Sequence, residues 1–206
     1  VVLPLLFLDK MTSQDVNQQY IEQQSAVEEI TKTVTGHRRR PLVITADRGR
    51  GKSAALGIAA AQLLTTKLCH ITVTALKITA INSLFKHAAL LLEGAIVDKH
   101  TLSWRGKTIK FVPPDQLIAQ LPECELLLVD EAAAIPTPML TTLAQQYSRL
   151  VFATTVHGYE GTGRGFALRF LSTLTKISPQ WRDCRLAQPI RWAVNDPLER
   201  LSNKLL

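Results

Sequence analysis

The chain has 206 residues, of which 46% are hydrophobic and 20% charged, and its formal net charge is +7. This composition is ordinary for a globular domain, and no run approaches the roughly 20 apolar residues of a membrane-spanning helix, so a membrane partner is not expected. The positive charge favours a polyanionic partner, such as a nucleotide or a nucleic acid.

The length suits one α/β domain over residues 1–206. The apolar run 1–8 is too short for a signal peptide, and the chain begins with valine, so we expect a piece of a longer protein in which about residues 1–15 are the edge of a preceding domain. The three cysteines are widely spaced and form no CxxC pair, which argues against a disulfide framework or a zinc site. A reducing, cytoplasmic setting is therefore expected.

The segment 41–64 reads as a strand, a loop and a helix, which is the order found in nucleotide phosphate sites. The loop is Ala46-Asp47-Arg48-Gly49-Arg50-Gly51-Lys52-Ser53. Its glycines expose backbone N–H groups at a helix N-terminus, where partial positive charge favours a pyrophosphate. The usual pattern begins with glycine, whereas this loop begins with Ala46.

We therefore expect the loop backbone from Gly49 through Arg50 to Gly51 to wrap the phosphates of ATP. Lys52 would reach the β- and γ-phosphates, and the hydroxyl of Ser53 would hold Mg²⁺. A glycine-rich turn kept only for packing is the alternative.

A second signal is the apolar run 125–129, which ends in Asp130 and Glu131. Such a run is typical of a strand buried on both faces of a parallel sheet, and the carboxyl ends of such strands are where α/β sheets place ligands. We expect Asp130 to anchor Mg²⁺ and Glu131 to polarise the attacking water. Together with the phosphate loop, this pair forms the two-part signature of an NTP hydrolase.

Polar residues also end the predicted strand 150–155, so Thr154 or Thr155 is a candidate sensor of the γ-phosphate. A loop with four glycines follows, and a helix is predicted over about 166–177. Such glycine density indicates a loop that approaches a ligand closely or changes shape, and Arg164 is a candidate for contact with the bound partner. A surface loop without a role is the alternative.

A helix is predicted over about 18–33, a strand over 69–75, a second helix over 78–92, and a further short helix after residues 111–115. Within the first helix, Glu22-Gln23-x-x-Ala26-Val27 resembles the EQxxAV segment of helicase-like ATPases, in which the glutamine reads the adenine edge, a role that Gln23 would take. A solvated helix face is the alternative, and this segment alone favours it. Arg191 lies between apolar residues, where a cation needs an anion, either a γ-phosphate or a carboxylate.

Two basic clusters are candidates for nucleic-acid contact. One is 37–40, and the other is the stretch 99–110 around Trp104. The default interpretation of the first cluster is a solvated turn, and the alternative for the second is a charged hairpin in which Trp104 packs inward.

Four segments together are recognisable: ADRGRGKSAALG, LLLVDEAAAIP, TTVHGYEGTGRGF and QPIRWAVNDPLE. In this order they resemble the RecD-related, helicase-like ATPase module of the tRNA(Met) cytidine acetyltransferases, and the resemblance extends from about Gln23 to Glu199. It implies a RecA-like P-loop NTPase fold, a three-layer α/β/α sandwich with a mostly parallel sheet. It also implies that Gln23, the loop from Gly49 to Ser53, and Arg191 bind ATP, while Asp130 and Glu131 serve Mg²⁺ and water.

Enzymes of that family make N4-acetylcytidine at the wobble position of elongator tRNA(Met), using acetyl-CoA and ATP. The sequence shows no Gln/Arg-x-x-Gly-x-Gly/Ala loop of the kind that holds CoA in acetyltransferases of that class. The resemblance therefore implies that tRNA and a downstream acetyltransferase domain are the partners, and that this chain supplies the ATP-driven part. A RecD-type DNA helicase, a P-loop small-molecule kinase and a module that uses ATP only as a switch are the alternatives.

Overall fold

The computed structural model describes residues 13–47, 49–155 and 162–187. The helices are α1 (Ser13–Thr35), α2 (Lys52–Thr66), α3 (Ile78–Leu91), α4 (Pro114–Gln120), α5 (Thr137–Gln146) and α6 (Thr162–Ile177). The strands are β1 (Leu42–Ala46), β2 (His70–Thr74), β3 (Ile96–Val97), β4 (Thr101–Trp104), β5 (Lys107–Phe111), β6 (Leu126–Val129), β7 (Leu150–Thr155) and β8 (Arg182–Leu186). Within these residues, no helix combines the length and the apolar character that crossing a bilayer demands.

The strands form one sheet in the order β3-β4-β5-β2-β6-β7-β1-β8. From β5 to β8 every neighbouring pair is parallel, and only the β3-β4 and β4-β5 pairs are antiparallel. The predicted mostly parallel α/β sheet is therefore confirmed.

Alternating side chains of the central strands pack on opposite faces of the sheet. Leu42 and Ile44 of β1 lie in a core shared with the helices α1, α2 and α3, whereas Val43 lies in a core shared with α4, α5 and α6. A strand buried on both faces must be apolar at every position, which explains the unbroken run in β6. The result is a sheet between two layers of helices, as predicted.

Two of the predicted helices have different bounds in the structure. Helix α1 is longer at both ends than the predicted 18–33, and α6 begins at Thr162 rather than near residue 166. Glycine-rich composition favours a loop before residue 166, but a helix tolerates a glycine at a cost of about 1 kcal/mol relative to alanine. Local composition therefore sets the start of α6 too late.

Helices α2 and α3 pack closely because Gly57 has no side chain. A Cβ atom at this position would lie 2.4 Å from the backbone oxygen of Leu84 in α3. The contact holds α3 beside the helix that follows the phosphate loop.

The predicted basic stretch 99–110 is split by the hairpin that carries it. Strand β4 runs antiparallel to β5, so Lys99 lies before β4 at the edge where the parallel strands end, whereas Arg105 lies at the opposite edge, where they begin. The indole N–H of Trp104 donates to the backbone oxygen of Glu93 at 3.0 Å, and the guanidinium of Arg105 lies 4.8 Å from the Trp104 ring centroid. The half-buried Trp104 packs against the core, which favours the hairpin interpretation of this residue.

Candidate functional site

The segment between β1 and α2 presents a helix N-terminus at the carboxyl edge of the sheet. Gly49 and Gly51 both have a φ of 80°, a left-handed conformation that glycine adopts without steric cost. Gly51 is the N-cap residue of α2, and no side chain of the described residues caps this helix. The first backbone N–H groups of α2 are therefore available to an anion, as the loop sequence predicts.

The two halves of the predicted signature meet at this point. The Ser53 hydroxyl donates a hydrogen bond of 2.6 Å to Oδ2 of Asp130. The other carboxylate oxygen of Asp130 accepts the backbone N–H of Glu131 at 2.9 Å, and the backbone N–H of Asp130 donates to the oxygen of Thr74 at 2.9 Å. The Asp130 carboxylate is thus held by two hydrogen bonds, and the backbone of Asp130 is held by a third, to the end of β2.

The side chain of Lys52 is buried beside Ser53 and Asp130 rather than extended into solvent. Its side chain is only 8% exposed, and its Nζ donates to Oγ1 of Thr155 at 2.8 Å. Burial lowers the pKa of Lys52 from 10.5, and the carboxylates of Asp130, Glu131 and Asp47 oppose this shift by attraction. A buried cation near three acids and beside an open helix N-terminus is arranged to receive a polyanion.

Asp130 is also buried, with 1% of its surface exposed. Burial raises the pKa of its carboxyl from 3.8, because the low-dielectric surroundings disfavour the charged form. The hydrogen bonds from Ser53 and from the Glu131 N–H, together with the charge of Lys52, work in the opposite direction. The site therefore holds two buried groups of opposite charge that are only partly compensated.

Glu131 differs from its neighbour in both exposure and backbone conformation. Its side chain is exposed, and its φ of 49° and ψ of 45° place it in the left-handed region, which costs about 1–2 kcal/mol for a residue with a Cβ. This conformation precedes a short 3₁₀ turn at Ala132–Ala134. Backbone strain of this kind is often found at functional positions.

The other predicted site residues include Thr154, Arg50, Arg164 and Arg191. Thr154 is buried at the end of β7, where its hydroxyl lies 3.5 Å from the backbone oxygen of Thr155. Arg50 follows Gly49 in the loop and is half-buried. Arg164 belongs to the first turns of α6, but its side chain lies outside the described residues, as does the whole of Arg191.

Gln23 lies on α1 and is half-buried. The carboxylate of its neighbour Glu22 accepts the backbone N–H of Ala187 at 2.8 Å. Ala187 follows β8, whose last residue, Leu186, pairs with Ala46 at the start of the phosphate loop. The helix turn that carries Gln23 is therefore at the same edge of the sheet as Lys52.

Sequence reasoning missed the side chains that hold α1 against the sheet. The guanidinium of Arg182 binds the carboxylate of Glu29, and it also donates to the Glu29 backbone oxygen at 3.1 Å and to Oγ1 of Thr33 at 2.8 Å. No local sequence motif predicts these contacts, because the partners are about 150 positions apart in the sequence.

Thr74 was also missed. It ends β2 beside Asp130, it is fully buried, and its hydroxyl has no hydrogen-bond partner among the described residues. The available signal was its position as a polar residue at the carboxyl end of a buried strand next to β6.

Comparison with known proteins adds an independent line of argument. Residues 43–206 match the family described as RNA cytidine acetyltransferase NAT10/TcmA, helicase domain. The tRNA(Met) cytidine acetyltransferase TmcA of Vibrio cholerae is 48% identical over 96% of this chain, and that of Nitrosococcus halophilus is 56% identical over 86% of it. The matched parts are 28% and 24% of those two relatives, so the chain spans about a quarter of their length.

Among solved structures, the large terminase of a thermophilic bacteriophage, in complex with ATP-gamma-S, has a similar fold. Its TM-score is 0.57 at 15% sequence identity, over 90% of this chain and 46% of the terminase chain. This likeness supports the fold alone, whereas the family match covers most of the sequence. The chain belongs to the helicase-domain family of the RNA cytidine acetyltransferases.

Proposed function

We propose that the chain binds ATP with Mg²⁺ and hydrolyses it, as the ATP-driven module of a tRNA(Met) cytidine acetyltransferase. The observation that carries the proposal is the convergence of three side chains at the N-terminus of α2. Ser53 donates to Asp130 at 2.6 Å, and Lys52 lies beside them, donating to Thr155 at 2.8 Å. A loop kept only for packing does not need a buried lysine opposite a buried aspartate.

The phosphates occupy the open N-terminus of α2. The backbone N–H groups from Gly49 through Arg50 to Gly51 and into the first turn of α2 donate to their oxygens. Lys52 exchanges its hydrogen bond with Thr155 for the β- and γ-phosphates, which compensate its buried charge better than a neutral hydroxyl does. Gln23 reads the adenine edge, and Arg191 adds a second cation to the γ-phosphate, both as the family resemblance implies.

The donor set beside Lys52 fits Mg²⁺, because a serine hydroxyl and a carboxylate are the hard oxygen ligands that this ion prefers. Ser53 and Asp130 would hold the ion, and bound Mg²⁺ neutralises charge on the phosphate oxygens. Their present hydrogen bond places both oxygens close together, so little rearrangement is required.

Glu131 takes the role of the group that orients and polarises the attacking water. It is exposed, it adjoins Asp130, and its charge acts on the buried Lys52 of the same site. Thr154 and Thr155 sense the γ-phosphate at the end of β7. Arg164, in the first turns of α6, relays that state to the bound partner.

The whole protein acts on elongator tRNA(Met) in this proposal. Acetyl transfer from acetyl-CoA to the wobble cytidine takes place in a downstream acetyltransferase domain, in the cytoplasm, and residues 1–206 form a single ATPase domain. The name of the relatives and the coverage of about a quarter of their length support this division of labour.

The experiment that tests the proposal follows the products of γ-³²P-labelled ATP by thin-layer chromatography, for the chain alone, with tRNA and with DNA. Released inorganic phosphate is the expected product. A labelled acceptor would instead indicate a kinase, unchanged ATP would indicate a switch, and stimulation by DNA but not by RNA would indicate a DNA helicase.

Two lysines at opposite ends of α2, Lys52 as its first residue and Lys67 just after its last, provide a matched pair of variants. Lys52→Ala removes the buried cation at the first residue of α2 and should abolish hydrolysis. Lys67→Ala removes an exposed cation that follows the last residue of α2 and should leave hydrolysis unchanged. Hydrolysis by Lys52→Ala at the parental rate would contradict the assignment of the site.

A further inference from the structure

A cavity of about 460 Å³ lies between α3 and the turn from β3 to β4, away from the residues assigned to ATP. We propose that this cavity, called here the α3–β3 groove, binds single-stranded RNA. Its exposed cations, Lys86 and Lys99, would hold the phosphates, and its polar and apolar walls would hold a base. The inference rests on the proposed function, since it names the surface by which an RNA substrate engages the ATPase module.

The chemistry of the walls fits a nucleotide better than it fits an apolar partner. Lys86 projects from α3 and Lys99 from the β3–β4 turn, so cations face the groove from both sides. Asn82 and Asp98 supply exposed donors and acceptors of the kind that read the edges of unstacked bases. Val97, about half exposed, and the buried Phe85 form an apolar surface for the base itself.

The position of the groove supports the same conclusion. Helix α3 begins after the carboxyl end of β2, and the β3–β4 turn lies at the same edge of the sheet, beside the carboxyl end of β5. The stacking of His100 on Phe111, with ring centroids 5.8 Å apart, holds this turn against the end of β5. The groove and the Lys52–Asp130 site therefore open on the same edge.

The two sites do not overlap. In the sheet order, β3 is four strands away from β6, the strand that precedes Asp130. At about 4.8 Å between neighbouring strands, this separation is roughly 19 Å. A strand of RNA in the groove thus leaves room for ATP. The two sites are nevertheless connected through the sheet, because β2, which leads into α3, pairs with β6.

The test uses a fluorescein-labelled 12-nucleotide oligouridylate, with binding followed by fluorescence anisotropy at several KCl concentrations without nucleotide. The double variant Lys86→Gln and Lys99→Gln should bind at least 10-fold more weakly. If each lysine makes one phosphate contact, the slope of log K against log salt should fall by about 1.4, at 0.7 for each contact to a single strand.

The control double variant is Lys67→Gln and Lys176→Gln, which removes the same charge from exposed positions at the amino edge of the sheet. It should retain the parental slope and affinity within about 2-fold. An equal loss of affinity in both double variants would overturn the proposal, because it would show diffuse electrostatic attraction. No loss of affinity in either would also overturn it, because the groove would then bind another kind of ligand.

A third variant separates shape from charge. Asn82→Trp fills the groove from an exposed position on α3 without altering charge. It should weaken oligouridylate binding several-fold at an unchanged salt slope, with an unchanged thermal melting curve as the check on folding. Parental affinity in this variant would overturn the groove as the site of binding.

The proposed function and the groove fail in different ways. ATP hydrolysis measured on the same preparations should persist without RNA in the groove variants, because they leave Lys52 and Asp130 intact. If the parent chain hydrolyses no ATP and still binds oligouridylate more tightly than the groove variants do, the ATPase proposal fails and the groove proposal stands.

Discussion

Ser53 and Asp130 are 77 positions apart in the sequence, yet the hydroxyl of one donates a 2.6 Å hydrogen bond to the carboxylate of the other. The contact joins the first turn of α2 to the end of β6, and it brings together the two motifs that the sequence predicts for an NTP hydrolase. Lys52 and Asp130 lie buried at the same place, and in the protein without a ligand burial disfavours the charged form of each side chain. Substitutions at this site should therefore change stability and activity in different directions.

Lys52→Met should raise the thermal stability of the nucleotide-free protein at pH 7, because it replaces a buried cation by an apolar side chain of similar length. It should also abolish ATP binding. Circular dichroism melting curves and a fluorescent ATP analogue measure the two effects. A variant that melts well below the parent would show that the attraction of Lys52 to Asp130 and Glu131 outweighs its burial.

The gain from Lys52→Met should shrink as the pH rises. Burial lowers the pKa of Lys52, so between this lowered pKa and 10.5 the unfolded chain holds a proton that the folded chain has lost. Stability of the parent relative to the variant therefore increases with pH across that window. Melting curves at pH 7 and pH 9.5 should show it, while the exposed Lys67→Met should differ from the parent equally at both values.

Glu131→Gln should keep ATP affinity and lose turnover by roughly 10²-fold or more, because the amide keeps the shape of the side chain but cannot accept a proton from water. Equilibrium binding and single-turnover hydrolysis separate the two quantities. Equal loss of binding and turnover would reassign Glu131 to metal binding or to structure.

Glu131→Gly tests the strained backbone at the same residue. Glycine adopts the left-handed region freely, whereas alanine retains the penalty, so Glu131→Gly should be more stable than Glu131→Ala by about 1 kcal/mol. Urea denaturation measures the difference. At the exposed helical position Gln24, the same pair of substitutions should give the opposite order, because alanine is favoured over glycine in a helix by about 1 kcal/mol. Alanine ahead of glycine at both positions would show that residue 131 is unstrained.

This 206-residue chain should transfer no acetyl group by itself, since it matches the helicase domain and spans about a quarter of its relatives. It should hydrolyse ATP slowly, because a site that becomes competent only when RNA or another domain binds is mostly in its inactive state. Incubation with ¹⁴C-acetyl-CoA, ATP and unmodified elongator tRNA(Met), beside a full-length relative, measures the transfer. Label in the tRNA with this chain alone would contradict the division of labour.

Local sequence determined the elements of the fold that depend on few neighbours. Backbone freedom predicts the loop at the glycines before α2, because glycine adopts left-handed conformations. Burial on both faces predicts strand β6 from its unbroken apolar run, and so places the two acids at the end of that strand. Gln23 and Arg191 remain predictions from the family resemblance, and Arg164 remains a prediction from the glycine-rich loop predicted before residue 166.

Only the tertiary structure decided which side chains meet. The hydrogen bond of Lys52 with Thr155 and the binding of Arg182 to Glu29 join elements that are distant in the sequence, and hydrophobic periodicity carries no information about such pairs. The antiparallel return of β4 likewise placed Lys99 and Arg105 at opposite edges, although they are six positions apart and belong to one basic stretch. Sequence specified the strands and their charges, but the order and direction of pairing determined the surface on which each charge lies.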